Sequence, residues 1–81
     1  MGWFDFFFGR KSGDGSSPEK AVIVYGIAEE YKWVRANCPG FAPKMQALQT
    51  IRGRPYDVLT LQNDDGVERT VYFDISSFFS H

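Results

Sequence analysis

The sequence predicts a small α+β domain, on three observations. Residues 21–27, AVIVYGI, form a nearly unbroken apolar run rich in β-branched side chains. Residues 28–37, AEEYKWVRAN, carry apolar side chains at helical spacing. Two alternating segments, YDVLTLQ and VERTVYFDI, flank Asn63-Asp64-Asp65-Gly66 as a hairpin would. The expected architecture is an N-terminal strand and a short helix packed on a mostly antiparallel sheet of about three or four strands. That sheet ends in the hairpin at residues 56–75.

The order along the chain supports this organisation. Residues 1–8 are an aromatic tail, 9–18 a Gly/Ser-rich linker expected to be mobile, and 19–81 the folded domain. The unbroken run at 21–27 suits a strand covered on both faces. In the helix that follows, Glu29 and Glu30 occupy the first turn, where the helix dipole favours negative charge. Ala28, Tyr31, Val34 and Cys38 are spaced to share its buried face. The Cys38-Pro39 step stops it, because the residue before a proline avoids helical angles.

Residues 43–53, PKMQALQTIRG, fit a helix up to Gln49 and a strand from Thr50. A strand is favoured because it turns through Arg52-Gly53-Arg54-Pro55 into a three-stranded meander, which is stable where a lone hairpin is marginal. Two registers are open to the second hairpin. A two-residue loop at Asp65-Gly66 sets Asp57 opposite Asp74, and like charges so placed repel. A three-residue loop, Asp64-Asp65-Gly66, pairs Thr60 with Thr70, Leu59 with Val71 and Val58 with Tyr72, and is preferred. Phe78 and Phe79 then fold back over the core. The expected core is Val22, Val24, Ile27, Tyr31, Val34, Leu48, Leu59, Leu61, Val71, Phe73 and Phe78.

Composition narrows the function. Nine Lys and Arg against ten Asp and Glu give a net charge of −1, without the basic excess of a nucleic-acid binder. Cys38 is the lone cysteine, so no disulfide framework compensates for small size and a reducing compartment, the cytoplasm, is the simpler reading. The aromatic opening is shorter than the ~20 residues that span a bilayer and is interrupted by Asp5.

No catalytic set stands out. Cys38 would need a histidine base, and the only histidine, His81, is the last residue; a small buried cysteine is the simpler reading. No cofactor and no metal site is expected. Asp64 and Asp65 are explained by turn chemistry. Two weaker constellations remain. Asp57, Asp74 and Arg54 would serve a ligand-binding or hydrolytic site if they converged. Arg52, Arg54 and Arg69, beside Tyr56 and Tyr72, would offer a basic-aromatic surface to phosphate or single-stranded nucleic acid.

The tail carries the strongest functional signal. Five of the fourteen aromatic residues lie within the first eight positions, and burying each ring is worth roughly 1.5–3 kcal/mol. On a helix, Trp3, Phe4, Phe7 and Phe8 share one side. The leading expectation is therefore a non-catalytic interaction module, an adaptor or self-associating subunit, contacting a protein partner or a second copy through Trp3, Phe4, Phe7, Phe8, Arg52, Arg54, Tyr56 and Tyr72. Peripheral membrane contact through the tail ranks below a protein partner because of Asp5, and the alternative is that the tail packs on its own domain.

Overall fold

The computed structural model describes residues 11–79. The fold is α+β: one helix on a mixed four-stranded sheet. In chain order the elements are β1 (Val22–Ile23), α1 (Ile27–Asn37), β2 (Ala42–Ile51), β3 (Arg54–Gln62) and β4 (Glu68–Asp74), with a single 3-10 turn at Pro18–Lys20 before β1. The sheet order is β1-β4-β3-β2, with β1 parallel to β4 and the other pairs antiparallel.

The ambiguous segment is a strand. β2 meets β3 through Arg52 and Gly53, whose φ angles of 52° and 78° are the paired positive values of a two-residue hairpin turn. An extra residue, Lys44, bulges β2 between Pro43 and Met45. The second hairpin takes the three-residue register, with Thr60 opposite Thr70, Leu59 opposite Val71 and Val58 opposite Tyr72. Asn63 fixes that loop: its Oδ1 accepts from the N–H groups of Asp65 (3.0 Å) and Val67 (2.9 Å).

The helix covers one face of the sheet, and Val22, Val24, Val34, Cys38, Leu59, Leu61, Val71, Phe73 and Ile75 form the main core beneath it. Trp33 meets Phe73 edge to face, at 5.7 Å between centroids and 88° between planes. Phe78 and Phe79 pack against the same core. On the opposite face a smaller cluster joins Ala21, Tyr56 and Val58 with Ile51 and Tyr72.

Three expectations need correction. The first strand is only Val22–Ile23, and Ile27 opens the helix instead of ending the strand. Extended Gly26 precedes the helix and the Glu29 carboxylate reaches back to accept from the Tyr25 N–H (2.9 Å), which fixes the start there. Second, the buried face of α1 is rotated. Ile27 is 50% exposed, Ala28 is exposed and Tyr31 is half-buried, while Glu30 and Val34 are buried. The Trp33–Phe73 contact turns that side of the helix to the sheet. Third, Leu48 is 58% exposed, because β2 extends beyond the area the helix covers.

Within the stretch read as linker, residues 13–15 are tied to the sheet. Gly13 N–H donates to Ala21 C=O (3.0 Å), and Gly15 C=O accepts from Tyr72 N–H (2.8 Å). Gly15 is buried with φ +82°, and a Cβ there would stand 2.6 Å from Val71 Cγ1, so both angle and space demand glycine.

Candidate functional site

Alternation along β3 decides which predicted site residues meet, since neighbours in a strand point to opposite faces. Arg54 and Tyr56 lie on the face away from the helix, while Asp57 lies under it. Asp74, opposite Tyr56, shares the Arg54 face. Asp57, opposite Phe73, does not. The structure thus joins Arg54 and Asp74 (Nη1 to Oδ2, 3.4 Å) and sets Asp57 apart from both. Ser76 completes that corner: its N–H (3.0 Å) and hydroxyl (2.6 Å) donate to Asp74 Oδ1, and Arg54 Nη1 donates to Ser76 Oγ (3.3 Å). The acid ends β4 and caps the final turn.

Arg52, Arg54 and Tyr56 do come together. With Pro18, Glu19 and Ile51 they line an open cleft of about 380 Å³ at the β2–β3 turn. Tyr72 lies two residue pairs further along, opposite Val58 on the same face, in the Tyr56 cluster. Arg69 is placed elsewhere. It lies opposite Leu61, five residues before Asp74 on β4, so it stands about 17 Å along the strand and on the other face. The three arginines therefore form no common surface. Trp3, Phe4, Phe7, Phe8 and His81 lie outside the described residues.

The sequence reading missed a buried acid cluster under the helix. Glu30 is fully buried and Asp57 is 3% exposed. Gln46, reaching in from β2, donates through Nε2 to both Asp57 oxygens (2.9 and 2.8 Å). Asp57 itself offers Glu30 no donor. An ionised Glu30 therefore has two buried oxygens with no hydrogen-bond partner among the described residues. A protonated Glu30 has Asp57 as its acceptor. Burial first, then the hydrogen bond and the charge of Asp57, push the Glu30 carboxyl up to about 8. The pair holds a proton and joins helix, β3 and β2 in one network. The cleft at the β2–β3 turn is lined by other residues. A signal for it was present: Glu30 precedes Trp33 and Val34 by three and four positions, which places it in the middle of the stripe they bury.

The remaining feature is the outer edge of β2, which has no further strand beside it among the described residues. Every residue from Ala42 to Thr50 is exposed, including Met45 at 63%, and Ile51 is half-buried. Ile51 and Arg54 close the two-residue turn as a hydrogen-bonded pair. By alternation, the N–H and C=O groups of Thr50, Leu48 and Gln46 point away from β3. Pro55, which has no N–H to give, fits that parity: it faces β4's end, where its C=O accepts from Ile75 N–H (3.3 Å).

Among the described residues no helix is long and apolar enough to cross a membrane. Compared with known proteins, the chain matches no family model, no curated protein and no solved structure.

Proposed function

We propose that this chain is a small non-catalytic interaction module that self-associates by adding β2 of a second copy to its own β2. The observation that carries the reading is the open edge itself. It is ten residues long, and natural sheets usually blunt such edges with charges or proline. From Met45 to Ile51 there is neither.

The edge is also self-complementary. An antiparallel arrangement centred on Leu48 sets Leu48 against its copy and pairs Gln46 with Thr50 of the other chain. All three residues present their backbone groups outward, so the ladder continues across the join. On the opposite face Met45 meets Ile51 of the second copy, twice. Lys44 falls opposite Arg52 of the second copy, and its charge is already paired with Glu68. The Arg52–Arg54–Tyr56 cleft then borders the contact. A lone buried cysteine fits a reducing, cytoplasmic setting.

Light scattering across a concentration series tests the reading. The full chain is expected to run as a dimer, and Leu48→Lys, which places like charges face to face at the centre, as a monomer with unchanged far-UV circular dichroism. Because Leu48 is exposed, that substitution costs the monomer about 0.5 kcal/mol or less. A monomeric wild-type chain at the highest concentrations, or a Leu48→Lys chain that still dimerises, overturns the proposal.

A further inference from the structure

We propose that the cleft at the β2–β3 turn binds a free α-amino acid with an apolar side chain, its carboxylate on Arg52 and Arg54 and its ammonium on Glu19. The cleft has a volume of about 380 Å³, within the range of roughly 300–1,000 Å³ usual for small-molecule sites. Two separate stretches of chain line it. Pro18 and Glu19 come from the 3-10 turn before β1, and Ile51, Arg52, Arg54 and Tyr56 from the hairpin. That lining holds two cations, one anion and three largely apolar side chains, and each class has a part of such a ligand to meet.

Arg52 is an unusual residue for its place. The first position of such a two-residue turn needs a positive φ and is usually Asn, Asp or Gly. Arg52 holds it at φ 52°. A long side chain kept in the left-handed region strains the backbone, and what that strain delivers is a guanidinium in the lining of the cleft. Arg54 is held in place by the sheet. Its contacts to the buried Asp74 carboxylate and to Ser76 Oγ both run through Nη1. Its Nε and Nη2 hydrogens have no partner among the described residues, and a guanidinium presents them as a planar fork matched to a carboxylate.

Charge decides which ligand fits. Asp74 offsets the charge of Arg54, and Glu19 that of Arg52, so the lining is close to neutral. Among the described residues no salt bridge joins Glu19 to either arginine. The two signs are therefore present in one cleft but not spent on each other. A simple anion such as phosphate meets Glu19 as well as the arginines and is repelled by it. A zwitterion sets an opposite charge against each. Pro18, Ile51 and the ring of Tyr56 then take an aliphatic or aromatic side chain. All six residues belong to one chain, so the site goes beyond self-association and does not require it.

Amide chemical shifts of the full-length, isotope-labelled chain, titrated with L-leucine at neutral pH, are the test. Saturable shifts are expected at Glu19, Arg52 and Gly53, in the millimolar range. Isocaproate, which lacks the ammonium, and isoamylamine, which lacks the carboxylate, are each expected to bind about tenfold more weakly. Arg52→Asn suits the turn, so it is expected to fold with unchanged circular dichroism and to bind leucine about tenfold more weakly. Glu19→Gln is expected to weaken leucine but not isocaproate, a split that a merely structural role would not produce. Leu48→Lys, monomeric under the self-association reading, is expected to bind leucine like the wild-type chain, and loss of binding there overturns a site built from one chain. The proposal is also overturned if leucine gives no saturable shifts, or if Arg52→Asn binds it at wild-type affinity. Isocaproate or inorganic phosphate binding as tightly as leucine overturns it too, leaving an anion site only.

Discussion

Glu30→Gln is expected to stabilise the folded chain at alkaline pH and to flatten its stability profile. In the folded state the Glu30 carboxyl titrates at about 8, against an ordinary value of 4.5. Between those values the native chain holds a proton that the unfolded chain has lost. Stability therefore falls as pH rises through that window, by at most about 1.4 kcal/mol per pH unit, and levels off above it. The sign is opposite to that of a salt-bridged acid, which loses stability on acidification. Summed over the window, the wild-type penalty at pH 9 is on the order of 3–5 kcal/mol. That is a large share of what holds a domain this small together. Glutamine keeps the shape and retains an N–H donor for Asp57, so the variant is expected to match wild type near pH 5 and exceed it at pH 9. Urea unfolding at pH 5, 7 and 9 reads the difference. Parallel profiles for the two proteins would show that Glu30 ionises without cost and that the acid cluster does not hold its proton.

What was legible in the sequence follows from how local each rule is. The β3–β4 register was readable because loop chemistry at Asp64-Asp65-Gly66 and the repulsion of Asp57 from Asp74 agree on one answer, and both act over a few residues. β2 was readable because a strand there completes a sheet. The state of its side chains was not. Leu48 and Leu59 look alike in sequence, yet Leu59 lies under the helix and Leu48 beyond it. That depends on where α1 crosses the sheet, which the Trp33–Phe73 contact sets. Glu30 escaped for a related reason. Two acids in a first helical turn satisfy the dipole rule, and only Glu29 plays that part, reaching back to Tyr25. The Asp57–Asp74–Arg54 site was plausible by composition, but the period of two along β3 separates Asp57 from its supposed partners. Arg52, Arg54 and Tyr56 met because they sit around one turn.

Phe73→Ala is expected to unfold the chain, while Ile27→Ala leaves it intact. Both residues were expected in the core, and their side chains are comparably apolar. Phe73 is fully buried. It lies opposite Asp57 on β3 and Val22 on β1, and its ring carries the edge-to-face contact with Trp33. Removing it leaves a cavity where both sheet neighbours and the helix meet, at a cost of about 3–5 kcal/mol. A domain of this size, which buries only about 60% of the surface its unfolded chain exposes, has little beyond that to lose. Ile27 stands at the first position of α1 and is 50% exposed. Alanine forgoes little burial there and is the better helix former, so the change is expected within about 0.5 kcal/mol of zero. Thermal unfolding followed by circular dichroism separates the two outcomes. A cooperative transition for Phe73→Ala within a few degrees of wild type would mean that the main core does not depend on the helix–sheet contact at Phe73, and the rotation of α1 would then need another cause. The contrast holds only if burial, set by that rotation, outweighs hydropathy in deciding what each side chain contributes.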